Sequence, residues 1–517
     1  MKLRTIVKIA ITSSVVLLCS GFALYSFFRL SAAEGQKDFN LYELVPSTTL
    51  AVFVTDDVLE FVAEVDELTC SKNQQYLYVS KLFSYLKQSL YALSEDTPHG
   101  LSRQMNQMLI SFHEPDNERN QVLYCRLGNG DKELVNRFVR KYISSLYPPK
   151  TFIYKGEEII IYPMADGDFL ACYLTSDFMA LSFQKKLIEN VIDAYKSGKS
   201  LADDSTFTGI RAPKKSAAAA TIYTRMQGMM GWTEFDMKMK DDFIYFSGIT
   251  HDADTCFAFI NQLRQQQSVK GFPGEVLPST AFYFSRQGIT DWVSLLSYGN
   301  AQGQSVPART SEVQNRDKEF SRYLMENAGQ DLVACLFQRE DTLQSAAAVL
   351  SLSVADVTEA ERMLRALVNA ASADEGRRNP RITFCYTVNK AYPIYRLPQT
   401  TLFEQLTSFA EPTLDVYAAF YGGRLLLAPD ADALAHYIRQ LDKGEVLNGA
   451  MAYQTGMDHL SDSYHFMLMA DFDHIFQQSE NHVRFVPDFF LRNADFFRHF
   501  TLFVQFACTD GVVYPNI

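Results

Sequence analysis

The chain has 517 residues, of which 47% are hydrophobic and 21% charged, a composition typical of a folded globular protein. A chain of this length is expected to form roughly two to four domains. The formal net charge is −12, so the surface is expected to repel phosphates, which argues against a nucleic-acid-binding function. The 39 Phe and 27 Tyr residues favour aromatic-rich strands and a large core.

The N-terminus carries the sequence pattern of a membrane anchor. Residues 9–28 contain no charge and follow three basic residues. A helix of this length crosses a hydrocarbon core of about 30 Å, and the preceding basic residues predict a cytoplasmic N-terminus. The rest of the chain would then lie outside the inner membrane. Two alternatives stay open: a signal peptide with a cleavage site at residues 31–33, and a lipoprotein modified at Cys19, although Leu18 stands where a small residue is normally needed.

Two nearly identical pentapeptides lie far apart in the chain. Leu-Val-Pro-Ser-Thr occupies residues 44–48 and Val-Leu-Pro-Ser-Thr occupies residues 276–280, and each precedes an apolar run. Pro46 and Pro278 are 232 residues apart (278 − 46 = 232). A similarity at such a long period predicts an internal duplication.

Later landmarks recur in the same order at a larger offset. The apolar helix face around Ile188 returns around Leu434, and Phe207 returns as Tyr453, at an offset of 246 (453 − 207 = 246). The increase from 232 to 246 predicts an insertion in the second half. Residues 374–380 are the candidate because they are charged and poor in apolar side chains.

The predicted elements alternate between helices and hairpin-like pairs of strands. In chain order the first half shows strand 50–54, helices 57–66 and 75–94, strands 107–112 and 121–127, helix 131–144, strands 151–155 and 158–162, hairpin 169–183, helix 185–196, and strands 218–224 and 242–248. The second half is expected to follow the same plan, with a loop at residues 299–316.

Hairpin-like neighbours outnumber strand–helix–strand units, which favours an α+β fold. We expect a tandem duplication of a mainly antiparallel sheet domain with packed helices, preceded by one N-terminal transmembrane helix. The predicted divisions are an anchor or signal at residues 1–30, a linker at 31–40, a first repeat at 41–268 and a second repeat at 269–517.

Residue patterns that carry chemistry are few. The sequence contains no catalytic, nucleotide-binding, metalloprotease or calcium-loop motif, so no catalytic, cofactor-binding or metal-binding residue is predicted. Five histidines lie among aspartates near the C-terminus and could hold zinc or iron, but no two have the i, i+4 spacing. Surface and interface histidines are therefore the favoured interpretation. These residues are His459, His465, His474, His482 and His499.

Two further groups of residues are interpreted as parts of the core. A phenylalanine-rich stretch at residues 485–500 lies beside three arginines; it could line a groove or touch lipid, but core packing is favoured. Eight cysteines form no CxxC pair, and four of them lie in apolar, strand-like runs: Cys125, Cys335, Cys385 and Cys508. Unpaired thiols are less typical of an oxidising compartment, which counts against a periplasmic location.

The N-terminal pattern resembles a family. The order of a span, Leu-Val-Pro-Ser-Thr, an apolar strand, an Asp and an apolar helix is similar to a family of uncharacterised Bacteroidetes envelope proteins, a domain of unknown function. Residues 203–207 and the strand pair that ends at residues 512–517 resemble the same family. The resemblance covers most of residues 40–517 and implies no catalytic residues. It also implies that relatives often carry a further β-rich, propeller-like region.

These observations predict a non-enzymatic protein that is anchored in the inner membrane by its N-terminal helix. The bulk of the chain would lie in the periplasm and act by binding or assembly with an envelope protein, without nucleic acid or cofactor. One alternative is an apolar-ligand or lipid carrier that uses the groove between the repeats, and another is a hydrolase with an unrecognised site. A pocket lined by Phe and Tyr would favour the carrier, and a buried cluster of titratable side chains would favour the hydrolase. A flat, exposed sheet face would favour assembly.

Overall fold

The structure is a computed structural model. It describes residues 39–68, 105–114, 119–128, 131–139, 147–164, 167–211, 218–225, 231–240, 243–250, 258–295, 310–339, 346–407, 415–478 and 486–517, apart from positions 294, 375, 377, 378, 389, 487 and 493. The predicted anchor at 1–30, nearly all of the linker at 31–40 and the predicted helix at 75–94 lie outside the described residues. The chain divides into two compact units. The first contains residues 1–47, 101–105 and 124–204, and the second contains residues 48–100, 106–123 and 205–517.

The described elements are mainly strands. The strands are β1 (Ala51–Thr55), β2 (Met108–Phe112), β3 (Gln121–Arg126), β4 (Lys150–Tyr154), β5 (Glu157–Pro163), β6 (Phe169–Leu174), β7 (Phe178–Ser182), β8 (Ala220–Thr224), β9 (Thr233–Lys240), β10 (Phe243–Thr250), β11 (Val269–Lys270), β12 (Ala281–Gly288), β13 (Ala328–Gln338), β14 (Ala346–Val354), β15 (Ile382–Tyr386), β16 (Ala391–Pro398), β17 (Asp415–Tyr421), β18 (Arg424–Ala428), β19 (Ser463–Tyr464), β20 (Phe466–Asp471), β21 (Thr501–Thr509) and β22 (Val512–Asn516). The α-helices are α1 (Val58–Glu67), α2 (Asp131–Phe138), α3 (Lys185–Ser197), α4 (Ser205–Ile210), α5 (Ala258–Arg264), α6 (Ser311–Asn327), α7 (Val357–Asp374), α8 (Leu402–Leu406), α9 (Ala431–Asp442), α10 (Met451–Met457), α11 (Phe472–Phe476), α12 (Asp488–Arg492) and α13 (Ala494–Phe497).

The first unit is a small antiparallel sheet with a helix packed against it. Its strand order is β4-β5-β6-β7, followed by the part of β3 that begins at Tyr124. Helix α3 packs against β5, β6 and β7 because Ile188, Val191 and their neighbours form one apolar face, which is buried. The helix ends at Gly198, whose φ of 61° gives the left-handed cap that glycine adopts at low cost.

The second unit is built on a long antiparallel sheet. Its strand order is β2-β1-β8-β9-β10-β22-β21-β20-β12-β13-β14-β18-β17-β16-β15. Around β13 the sheet has a buried core on each face: Leu336 belongs to one apolar cluster, and its neighbours Cys335 and Phe337 belong to the other. Helices α6, α7, α8 and α11 contribute to the first cluster, and α9 and α10 to the second. This explains the near-continuous apolar sequence of β13, since strands covered on both faces lose the apolar–polar alternation.

The repeated pentapeptide forms the same contact in both halves. In the first half Pro46 forms a β-bridge with Ser200. Pro278 lies 232 residues after Pro46 and forms the same bridge with Val446, which lies 246 residues after Ser200. In each half the pentapeptide therefore pairs with the segment that follows a helix, which is α3 in the first half and α9 in the second.

The register of the main strands follows the same two offsets. Ala51 of β1 lies opposite Thr224 of β8. Tyr283, 232 residues after Ala51, lies opposite Ala470, which is 246 residues after Thr224. The hairpins β9–β10 and β21–β22 are counterparts by their place in the sheet, since β9 pairs with β8 and β21 pairs with β20. Their second strands pair with each other antiparallel, with Ser247 opposite Asn516.

The predicted α+β class, with two tandem sheet domains, is wrong. Twenty of the described strands belong to one large antiparallel sheet to which both halves of the sequence contribute. The physical reason is the pairing of β10 with β22, which joins the two halves through backbone hydrogen bonds instead of leaving each with its own sheet. The predicted domain limits at residues 268 and 269 stay a prediction.

Three further expectations need comment. The predicted N-terminal transmembrane helix lies outside the described residues, and within the described ranges no helix is both long and apolar enough to cross a membrane. The predicted loop at residues 299–316 is wrong in its last part, because helix α6 begins at Ser311, where the hydroxyl of Thr310 caps the backbone N–H of Val313. Strand β9 was not predicted because its residues are mostly polar and only partly buried.

Candidate functional site

The C-terminal histidines have separate partners. Nδ1 of His474 lies 2.9 Å from Oδ2 of Asp471, and Nδ1 of His465 accepts a hydrogen bond from the backbone N–H of Cys508 at 3.1 Å. His482 lies outside the described residues. Within the described part of the chain, no three His, Cys, Asp or Glu side chains are placed to hold a metal ion.

The other two histidines also lie apart from such a cluster. The ring of His459 contacts two aromatic rings, with centroid distances of 5.2 Å to Phe243 and 4.9 Å to Tyr245. His499 is exposed on the turn before β21. Aromatic packing and solvent exposure are the features of surface and interface histidines.

The described phenylalanines of the 485–500 stretch pack together beside the core. The rings of Phe490 and Phe497 lie 4.7 Å apart, and Phe490 stacks at 5.0 Å on Phe472, a buried residue of the core. Phe496 and Phe500 continue the cluster with a centroid distance of 5.0 Å. Core packing is confirmed for Phe490, Phe497 and Phe500, which pack against the apolar cluster of the second unit.

The strand cysteines behave as apolar side chains. Cys125, Cys335 and Cys385 are buried, as predicted, whereas Cys508 is half-buried. Burial raises the pKa of Cys125 to about 12 and that of Cys508 to about 11. Since the thiolate is the nucleophile and the metal ligand, these thiols are poorly suited to either role at neutral pH.

Strand β15 is an exposed sheet edge. Among the described strands its only partner is β16. The backbone N–H of Thr387 donates to the carbonyl of Lys390, and the alternation of an antiparallel ladder then directs the N–H groups of Ile382, Phe384 and Tyr386 away from β16. Their side chains share one face of the strand; Phe384 is 50% exposed and Tyr386 is 72% exposed. An unpaired row of donors beside exposed apolar side chains is a template for another strand.

Strand β4 is an exposed edge of the first unit and pairs with β5 alone among the described strands. Lys155 and Gly156 form a two-residue turn with φ values of 51° and 84°, the left-handed conformations of a type I′ hairpin. The bonded pair that closes such a turn leaves the N–H groups of Thr151 and Ile153 pointing outward. Ile153 is 70% exposed, but Thr151 makes this edge less apolar than β15.

A buried ion cluster lies in the second unit. The carboxylate of Asp331 sits between two guanidinium groups, with Nε of Arg286 at 3.1 Å and Nη1 of Arg424 at 3.4 Å. Nε of Arg424 also donates to the hydroxyl of Ser351 at 2.6 Å. Burial disfavours the charge of Asp331, but the two guanidinium groups and the hydroxyl of Ser353 outweigh it and hold the pKa of this carboxyl below its ordinary value.

A cavity of about 420 Å³ opens beside this cluster. Arg286 and Asp331 line it together with Lys270, Gln330 and Ser353. Among the described residues the lining contains no Phe or Tyr, and Asp331 is its sole carboxylate. Charged groups therefore line part of the cavity, and among the described residues more of them are cationic than anionic.

The sequence interpretation missed these residues. Arg286, Asp331 and Arg424 match no motif, and they are 45 and 93 residues apart along the chain. The one available signal was a charged residue inside an otherwise apolar strand, since Arg286 follows the run Ala281–Phe284 within β12.

No family model, no curated protein and no solved structure matches the chain. The resemblance to Bacteroidetes envelope proteins therefore stays a prediction.

Proposed function

We propose that the protein acts by assembly, in which β15 of one copy pairs antiparallel with β15 of a second copy. The observation that carries this proposal is the outward row of Phe384 and Tyr386 on a strand with one described neighbour. In the proposed dimer the two-fold axis passes beside Phe384, so this residue lies opposite its equivalent. Ile382 of each copy then lies opposite Tyr386 of the other. All cross-strand pairs on that face are aromatic or aliphatic, the kinds of pair that stabilise an antiparallel ladder.

The fold already contains one junction of this kind. The counterpart strands β10 and β22 pair antiparallel, with backbone bonds of 2.8 Å in both directions between Phe246 and Ile517. Strands from equivalent positions of the two halves are thus compatible edge to edge. A symmetric dimer through β15 would use the same kind of junction and would close after two copies.

Neither alternative function gains support from the described cavity. A carrier of apolar ligands needs a lining free of unneutralised charge, but Lys270, Arg286 and Asp331 all line the cavity beside Arg286. Asp331 is the carboxylate that lines the cavity among the described residues, and its lowered pKa between two guanidinium groups makes it a weak general base for hydrolysis. The proposal therefore includes no catalytic activity. The periplasmic location stays a prediction.

Sedimentation of the full chain over a range of concentrations tests the proposal. We expect a monomer–dimer equilibrium that Tyr386→Lys weakens about tenfold, because a charge on an edge strand opposes strand addition. Met451→Lys is the matched control, since Met451 is 82% exposed and lies on helix α10 rather than on an edge. A wild-type chain that stays monomeric would overturn the proposal. Weakening by Ile153→Lys but not by Tyr386→Lys would place the interface at β4 and overturn the choice of β15.

A second pair of variants separates strand pairing from simple apolar packing. Phe384→Ser removes the ring and keeps the backbone N–H, whereas Phe384→Pro removes both. Because the N–H of Phe384 points away from β16, proline there breaks no described ladder bond within the chain. Strand pairing predicts a weaker dimer for Phe384→Pro than for Phe384→Ser. Equal dimer affinities would show that the backbone of β15 takes no part.

A further inference from the structure

We propose that the cavity beside Arg286 binds a small oxyanion, a phosphate or carboxylate group, through Arg286 and Lys270. The side chains around the cavity carry an excess of positive charge. The guanidinium groups of Arg286 and Arg424 flank one carboxylate, that of Asp331, and the ammonium of Lys270 adds a further charge. This excess lies on a chain whose formal net charge is −12. It makes the cavity a place where an anion is attracted although the protein as a whole repels anions.

The donors needed to hold an anion are available. Nε of Arg286 is bonded to Asp331, and Nη1 donates to the carbonyl of Gly271 at 2.8 Å. Nη2 of Arg286 and Nζ of Lys270 have no partner among the described residues. Because the guanidinium is planar and two of its nitrogens are fixed, the direction of Nη2 is fixed as well. A preorganised guanidinium with a nearby ammonium is suited to phosphate and carboxylate groups.

The counterpart strands of the first half form without the two arginines of this cluster. The residue 232 positions before Arg286 is Val54, and the residue 246 positions before Arg424 is Phe178, whose side chain is buried. The first half thus builds the counterpart strands with apolar residues at both places. Burying ions in a sheet is costly, and an apolar replacement is often equally stable. The two arginines occur at these places in the second half alone, which is consistent with a binding role.

The size of the cavity limits the ligand. Sites for small molecules typically occupy about 300–1,000 Å³, and this cavity of about 420 Å³ lies near the lower end of that range. A ligand with one oxyanion group and a short polar body would fit. The hydroxyl of Ser353 and the amide of Gln330, both in the lining, offer further polar contacts for such a body.

Calorimetric titration of the full chain with inorganic phosphate, and separately with succinate, at constant ionic strength tests the proposal. We expect saturable binding of at least one of the two anions, and the stronger of them identifies the group that the site prefers. Lys270→Gln should weaken that binding about tenfold, because it removes one charged donor. Lys270 has no described partner, so the substitution is not expected to change folding.

Lys318→Gln is the matched control, because Lys318 is exposed on helix α6 and also has no described partner. Arg286→Lys keeps the charge but loses the planar donor pair. It should also weaken binding, and its thermal unfolding in buffer without phosphate or succinate shows whether the fold is intact. No saturable binding of either anion to the wild type would overturn the proposal. Equal affinities of Lys270→Gln and Lys318→Gln would also overturn it.

Discussion

Asp317→Ala is expected to destabilise the second unit strongly, because one buried carboxylate holds the start of helix α8. Oδ1 of Asp317 accepts hydrogen bonds from the hydroxyl of Thr400 and the backbone N–H of Thr401, both at 2.8 Å. Oδ2 accepts from the hydroxyl of Thr401 at 2.7 Å and from Nε2 of Gln405 at 3.2 Å. Thr401, the N-cap residue, makes no side-chain cap bond to the helix; Asp317, 84 residues earlier in the chain, instead holds Thr401 itself in place.

The expected loss follows from the donors that the substitution leaves behind. A hydrogen bond to a charged group contributes about 1.5–3 kcal/mol, and a buried donor without an acceptor costs about 1–3 kcal/mol. Thr400 and Thr401 are buried, so water cannot readily replace the carboxylate. The carboxylate itself no longer has to be desolvated, which offsets part of the loss. We therefore expect a decrease of about 3 kcal/mol in the free energy of unfolding for Asp317→Ala. Asp317→Asn should cost about 2 kcal/mol, because its amide NH₂ faces two donors.

Urea unfolding measures the global loss, and hydrogen exchange of the amides of Leu402–Leu406 measures the local one. Glu319→Ala is the control, because Glu319 lies on the same helix, is half-exposed and pairs with Arg316 at 2.8 Å. Arg316 is buried but keeps a second partner, Asp374, at 2.7 Å, so the loss of the half-exposed Glu319 should cost less than about 1 kcal/mol. If Asp317→Ala were no less stable than Glu319→Ala, the role of Asp317 in holding Thr401 would be refuted.

Two further predictions concern stability. Burial lowers the pKa of His113 from 6.5 to about 4, so protonation of this side chain opposes folding. The free energy of unfolding is therefore highest above pH 6.5 and falls by up to about 3 kcal/mol as the pH drops towards 4. His113→Gln, which can keep the bond to Ser111, should flatten this dependence in urea unfolding at several pH values; an unchanged pH profile would contradict it. Gly288→Ala would place a Cβ 2.0 Å from the carbonyl oxygen of Gln267 and should cost about 3 kcal/mol, whereas the Cβ of Gly209→Ala meets no atom of the described residues within 4 Å and should raise the urea midpoint. Similar midpoints for the two glycine variants would refute that contrast.

Local patterns predicted most elements of the first half. The helix face around Ile188 and the apolar run of β5 are visible in the sequence because each element repeats its own period. The offsets of 232 and 246 were also visible, since they depend on comparing one stretch of sequence with another. The joining of both halves in one sheet was not visible in the sequence, because the partner of β10 lies more than 260 residues away and no local period specifies it.

The candidate sites were harder to predict for a related reason. The alternation of Ile382, Phe384 and Tyr386 indicates a strand, but it does not show whether that strand lies at an edge or inside a sheet. Arg286 and Asp331 become a site only when β12 and β13 pair, and the register of that pairing is a tertiary property. The cavity beside them carries no sequence signature.

The pairing of β10 with β22 can form only after most of the second half of the chain has been translated. Thr250 pairs with Val513, and the 262 residues between them must be translated before this ladder can close. At about 5–20 residues per second that interval lasts about 13–50 s. During this time the outer side of β10 is an open edge on the nascent chain, available to ribosome-associated chaperones and to neighbouring chains on the same messenger. Slower translation of the second half would lengthen that exposure without changing the final fold.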